Sequence, residues 1–444
     1  MQDNISKLQQ TQDHQIKTFL IFFALIFLGS AFLLDSPSTI LSGLVAIITK
    51  GDKLITDYVE LAGFGATFVN AGLLMLVSVG MLHLAKAKLS GMAIAAVFLM
   101  GGFGMFGKNI VNIWGIVLGV YLYARFQKHP FRQYIYIAFF GTSLAPLTSE
   151  LALWHDNTMV ALLVACIFTI LVGFFLAPVS NACLAVHQGY NLYNVGFGAG
   201  LAGTIIYAIL CQVGYESAPV LHWYSSLHLG VATFLYGLWI SFIVIAWLLD
   251  HNVFQQYRTL LKRSGRLVSD FVRSDGCATV LFNMGILGLV YTSYVLLVKG
   301  SINGPTIGGI LTIVGFAGFG KHIRNTFPLV LGVLIAGALS SSNLADPTIL
   351  LAALFATGLA PIAGQFGLIA GLVTGMIHLG LVQSIGAYHG GINLYNNGFS
   401  AGLVALFVLP IIEVFAKQRR RQQQALFSKT KEDDTLKEEI RRST

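Results

Sequence analysis

An all-α, polytopic integral membrane protein made of two inverted-topology repeats, with roughly 12–14 transmembrane or re-entrant helical segments, is the fold class that three features of the sequence predict. Hydrophobic residues make up 55% of the 444 and charged residues only 10%, with a mean hydropathy of +0.74. A soluble globule of that length lacks the interior to hide so much apolar surface. The chain also matches itself at a nearly constant offset, and loops that correspond between the two copies differ in charge.

The N-terminal part, 1–56, holds a polar tail and a first apolar run, Thr18 to Leu34. Its upstream flank mixes acids with bases and no small-residue cleavage site follows, so it reads as a retained helix rather than a signal peptide. The first repeat, 57–212, offers apolar segments at 62–84, 89–106, 110–125, 133–150, 158–180 and 195–212, most of them near the roughly 20 residues a bilayer requires. A segment at 222–249 and a basic linker make up the connection 213–269. The second repeat, 270–416, has segments at 276–298, 302–319, 323–339, 348–363, 365–387 and 398–416, and 417–444 is a charged tail. Several segments are short and rich in Gly or Pro, as half-helices and re-entrant segments are.

The duplication is read by sliding the chain against itself. An offset of 213 pairs Asp57 with Asp270, Gly63 with Gly276, Asn70 with Asn283, Lys108 with Lys321 and Asn112 with Asn325. The Lys108 and Lys321 pair sits in a shared Gly-Phe-x-x-Phe-Gly-Lys pattern. An offset of 215 aligns Leu144, Ala145 and Pro146 with Leu359, Ala360 and Pro361. An offset of 202 aligns two copies of the pattern HxGxNLYNxGFxAG, one from His187 to Gly200 and one from His389 to Gly402.

Basic residues assign the sides. Lys86 and Lys88, the group Arg125, Lys128 and Arg132, the linker bases Arg258, Lys262, Arg263 and Arg266, and the run at 419–421 all read as cytoplasmic, with both termini on that side. The loop 125–132 carries three bases, whereas its counterpart 338–347 carries none and contains Asp346. Equivalent loops then face opposite sides. Six crossings per repeat plus the 222–249 connector make an odd interval, which inverts the second copy and lets duplicated residues converge on one pathway.

Polar groups placed twice inside an apolar solvent are the candidate site. A lysine at the bilayer centre costs about 2.5–3.5 kcal/mol, so Lys108 and Lys321 need a partner, water or an interface. His187, Asn191, Tyr193 and Asn194, with His389, Asn393, Tyr395 and Asn396, supply donors and acceptors without fixed charge. Together with Asn112 and Asn325 they form the expected lining, in which the lysines act on an anion or polarised oxygen and the amides and histidines replace lost water. Asn70 and Asn283 rank below them. Glu150 aligns with Gln365; as a carboxylate in one half only it is a candidate proton- or cation-coupling group, while with Asp156 it reads slightly better as part of a solvated external loop.

Other chemistries lack their signatures. Cys166, Cys183, Cys211 and Cys277 stand singly, without the spacing of a disulfide framework or zinc site. Each histidine element has one histidine and no paired carboxylate, so neither a metal nor a cofactor is expected. There is no P-loop, dinucleotide fingerprint, HExxH or GxSxG, and the chain reads as a non-enzyme. The net charge of +8 arises largely in the linker and tail, which speaks to orientation rather than nucleic acid.

On the duplicated histidine element and the paired Gly-Phe-x-x-Phe-Gly-Lys segments, the whole chain resembles a bacterial family of duplicated membrane proteins whose function is unknown. Phe68 to Leu74 is similar to the helix start of urea transporters, Gly102 to Asn109 to their glycine-rich turn, and Leu144 to Thr148 to their Leu-Pro-x-Leu-Thr element. That resemblance implies a channel-like fold of two inverted halves. The expected protein is an inner-membrane channel or secondary transporter for a small polar solute or anion, with the lipid bilayer as its surroundings and a homo-oligomer left open. The alternative is an intramembrane enzyme using His187 and His389 as acid–base groups or metal ligands.

Overall fold

A backbone in hydrocarbon has to satisfy its own hydrogen bonds, and a chain this apolar does so with helices. The computed structural model describes residues 2–216, 220–415 and 417–418; the bases at 419–421 and the tail to 444 lie outside the described residues. The first repeat runs α1 (Gln2–Leu34), α2 (Pro37–Thr49), α3 (Tyr58–Leu84), α4 (Gly91–Phe103), α5 (Trp114–Phe126), α6 (Ile135–Gly141), α7 (Pro146–Ala152), α8 (Thr158–His187) and α9 (Asn194–Gln212). The second runs α10 (Leu229–Leu249), α11 (Val253–Leu260), α12 (Phe271–Asp275), α13 (Cys277–Leu297), α14 (Gly304–Phe316), α15 (Ile323–Leu339), α16 (Pro347–Ala356), α17 (Ala360–Phe366), α18 (Leu368–Ile385) and α19 (Asn396–Phe415). Among the described residues nine helices are long and apolar enough to cross a membrane, or ten if the pair α6 and α7, bent by 49°, counts as one.

Local geometry repeats with the sequence. Gly63 bends α3 at φ +82°, and Gly276 separates α12 from α13 at φ +86°, a conformation that costs glycine nothing. A short 3-10 turn joins α6 to α7 at Thr142–Leu144, and another joins α16 to α17 at Thr357–Leu359.

Two 13-residue helices, α4 and α14, form the centre and are buried on nearly every face. At about 20 Å each they are shorter than a hydrocarbon core. They lie antiparallel in backbone contact: Gly91 faces the Gly318 carbonyl, Gly304 the Met105 carbonyl, and Gly102 packs on Gly308. A β-carbon at Gly91 or Gly304 would collide with those carbonyls. Each helix is capped from the opposite repeat. Asp57 Oδ1 accepts from Gly304 N at 3.1 Å, and Asp270 Oδ1 accepts from Gly91 N at 3.3 Å.

The helix pair α4–α5 enters and leaves by one face. Lys86 and Lys88 precede it, Arg125, Lys128 and Arg132 follow it, and the Tyr136 hydroxyl donates to Lys88 O at 3.2 Å. On the other face, Gly300 before α14 meets Leu350 after α15, and Ser301 Oγ donates to Ser225 O at 3.1 Å. Each repeat therefore has five crossings and one re-entrant pair, not six crossings.

The odd number survives because α10 opens the second repeat instead of standing outside it. Gly72 packs on Leu28 and Ala24 of α1, and its counterpart Gly285 packs on Ile243 and Trp239 of α10. This correspondence reaches upstream of positions 57 and 270. It leaves little trace in the sequence because α1 and α10 expose many large apolar side chains, including Phe22, Leu33, Ile240 and Leu248, and lipid accepts any of them.

Candidate functional site

The site is built on the two turns that follow α4 and α14. Asn70 Nδ2 donates to Gly104 O at 2.7 Å and Lys108 O at 2.8 Å; Asn283 Nδ2 donates to Ala317 O at 3.1 Å and Lys321 O at 2.8 Å. Asn112 accepts from Asn109 N at 2.9 Å and donates to Gly107 O at 3.1 Å, while Asn325 accepts from His322 N at 2.9 Å and donates to Gly320 O at 2.9 Å. All four amides donate to backbone that has left the helix, which holds the lysines in place.

Both lysine side chains are buried and lack an acidic partner among the described residues. Lys108 Nζ donates to Phe139 O at 3.3 Å and lies 5.0 Å from the Phe103 ring centroid. Lys321 Nζ donates to Thr357 Oγ1 at 2.8 Å and to the Tyr193 hydroxyl. It lies 4.9 Å from the Phe316 centroid and 4.5 Å from that of Tyr193. The aromatic faces give each ammonium a cation–π contact in place of a carboxylate.

The histidine elements are shared between halves. Leu192 N donates to Gly358 O and Leu394 N donates to Ser143 O, both at 2.9 Å, so each element is hydrogen-bonded to the bent helix of the other repeat. Asn191 and Asn393 each accept from the backbone N two residues on, at 2.9 and 3.1 Å, which shapes the loop presenting Tyr193 and Tyr395. The two tyrosine rings meet edge to face at 4.8 Å, and each also packs at an angle on a phenylalanine of the other repeat, Tyr193 on Phe316 and Tyr395 on Phe103, both at 5.0 Å.

The histidines do not converge. His187 Nε2 pairs with Asn194 Oδ1 and His389 Nε2 with Asn396 Oδ1, both at 2.9 Å. Asn194 starts α9, whereas a β-carbon on Gly203 would lie 3.8 Å from His389 Cβ; nine residues of helix put the two sites on the order of 13 Å apart. Their loops also lie on opposite faces: Leu267 N donates to Gly189 O, and Leu54 N to Gly391 O. Among the described residues no three His, Cys, Asp or Glu side chains gather as metal ligands.

A cavity of ≈ 260 Å³ reaches the tyrosines from the face that bears Lys88 and Arg132. Gln133, Tyr136, Asn181, Tyr193, Asn194 and Tyr395 line it, and Val268, 88% exposed, stands at its mouth. The opposite side is tighter: Tyr136, Ile137 and Phe140 are partly exposed, but their counterparts Leu351, Ala352 and Phe355 are buried. There the segment 220–222 covers loop 50–57 through Ile55 N to Val220 O at 3.0 Å and His222 N to Ile55 O at 3.0 Å. Lys53 pairs with Glu150 at 3.1 Å, and the Tyr215 hydroxyl donates to Glu150 Oε2 at 3.0 Å. Glu150 is thus packed into this cover.

Three participants escaped the sequence reading. Thr142 and Thr357 stand two residues upstream of the shared Leu-Ala-Pro element, so extending that match would have found them. Asp52 has Gly265 as its counterpart and carried no duplication signal. It is buried, accepting from Tyr58 Oη at 2.7 Å, Ser149 Oγ at 2.6 Å and Asn112 Nδ2 at 3.0 Å. Burial pushes its carboxyl up to about 7, against those donors.

Fold and site together define a duplicated, inverted-repeat, multi-pass membrane protein with a polar centre between its halves. The chain belongs to the family described as protein of unknown function (DUF1576), whose model matches residues 36–212 and 249–414. The two matched stretches begin at α2 and at the end of α10, upstream of the repeat starts read from identity alone. Comparison with curated proteins and with solved structures gave no match.

Proposed function

We propose that the protein is a secondary transporter that carries a small polar solute or anion between its two repeats. The observation behind this reading is the meeting of Tyr193 and Tyr395, one from each half, at the closed end of a cavity that opens to one face. Inverted repeats that differ in openness suit alternating access, in which the tight side of one half and the open side of the other exchange. A carrier accounts for the covered opposite face better than a continuously open channel does. On this reading the open face, which bears the Lys and Arg clusters, is the cytoplasmic one, and the expected location is a bacterial inner membrane with both termini inside.

Reconstitution tests it. Proteoliposomes challenged with gradients of urea, formamide, glycerol, formate, acetate, nitrate and chloride, and followed by light scattering, should move at least one solute faster than protein-free vesicles. Rates equal to protein-free vesicles for every solute, with the protein folded and inserted, overturn the proposal.

A further inference from the structure

We infer that the transported solute is a small monovalent anion, bound at the closed end of the cavity where the Lys321 ammonium stands behind the hydroxyls of Tyr193 and Thr357. The inference rests on the carrier reading above and adds to it the substrate's charge and an upper limit on its size.

Charge is argued from what surrounds the site. Lys321 is buried and has no carboxylate partner among the described residues, and Lys108 repeats this arrangement in the other half. An ammonium removed from water without a counter-charge is costly. Hydroxyl and aromatic contacts offset that cost only in part, so a negative charge entering the site is favoured over a neutral amide. A cation at the tyrosines would be repelled by Lys321 behind Tyr193 and, further back, by Lys108 behind Phe103. The carboxylates of the first repeat are committed elsewhere: Asp57 caps α14, and Asp52 and Glu150 are held by Ser149, Tyr58, Lys53 and Tyr215 towards the covered face.

Hydrogen-bonding capacity points the same way. An ammonium has three donors, of which Lys321 gives one to Tyr193 and one to Thr357. Tyr395 lines the cavity, and beyond the neighbouring Tyr193 hydroxyl its own buried hydroxyl has no hydrogen-bond partner among the described residues. Both tyrosine hydroxyls can turn a hydrogen toward an anion, polarised on the Tyr193 side by the lysine. A volume of ≈ 260 Å³ holds on the order of ten heavy atoms, so formate, acetate or nitrate fits and the cavity sets an upper limit on the size of the solute. Lys88, Arg132 and Arg266 on the same face raise the anion concentration near the mouth.

Thermal unfolding of the purified full chain, with sodium formate, acetate, nitrate or urea added at matched ionic strength, tests the inference. At least one anion should raise Tm by several degrees in the wild type and in Lys321→Arg, and this shift should vanish in Lys321→Met. Thr357→Val, a milder change, should weaken it several-fold in midpoint concentration. An equal anion shift in Lys321→Met overturns the inference, as does stabilisation by urea alone. In the latter case neutral-solute flux in proteoliposomes would leave the carrier reading standing, whereas anion binding without any flux would remove the carrier reading itself.

Discussion

Tyr193 and Tyr395 occupy the same place in the two repeats and touch each other edge to face, with ring centroids 4.8 Å apart. The pseudo-two-fold axis passes between them. One helical turn further along the relation continues, because Phe197 and Phe399 stack at 6.3 Å while each covers a glycine of the partner helix, Gly402 and Gly200. The path proposed here exists only if this seam stays packed.

Gly196 leaves no room in that packing, because a β-carbon there would overlap the Tyr395 ring from the other repeat. Gly196→Ala should lower stability by about 1–3 kcal/mol, the usual cost of overpacking. Gly80→Ala, on α3 with nothing within 4 Å, should be neutral or mildly stabilising. Thermal unfolding of the two purified variants checks the contrast; equal Tm values would mean that the seam yields freely.

Asn70→Ala and Asn283→Ala each leave two buried carbonyls without a donor. Each orphaned group costs about 1–3 kcal/mol, so both variants should unfold at clearly lower temperature than wild type. The two losses should be similar, since the bonds are copies of one another. A loss confined to one variant would show that only one turn needs its brace.

Asp52 ties stability to pH. Its carboxyl rises from 3.8 to about 7 on folding because burial disfavours the anion. The folded state therefore holds a proton that the unfolded chain has released between those values. The corresponding stabilisation is fully present below about 4, falls as pH rises, and is gone above about 7. Between pH 5 and 8, Tm should fall less steeply for Asp52→Asn than for wild type, whatever offset the substitution adds. Parallel slopes would show that Asp52 keeps its charge when buried.

Much of this was legible in the sequence because duplication marks what both halves need. The shared Gly-Phe-x-x-Phe-Gly-Lys segment encoded the two turns, and the repeated histidine element encoded the loops that carry Tyr193 and Tyr395. The roles were less legible than the positions. Asn112 and Asn325 were expected to face solute, but their amides are bonded to the turn backbone. The cross-capping of α14 by Asp57 and of α4 by Asp270 joins residues far apart in the chain, and no local spacing announces it. The equivalence of α1 and α10 was hidden by surfaces that require only apolar character.

The most direct measurement is aqueous labelling of a single cysteine at position 395 in a chain whose four native cysteines have been replaced. Tyr395 belongs to the second repeat but lines a cavity bounded largely by the first. Tyr395→Cys in oriented vesicles should react with a small charged methanethiosulfonate reagent from the face bearing Lys88 and Arg132. Leu351→Cys, buried on the covered side, should react far more slowly from either face. If the cysteine at 395 is as inert as that at 351 from both faces in a folded protein, the halves share no aqueous route.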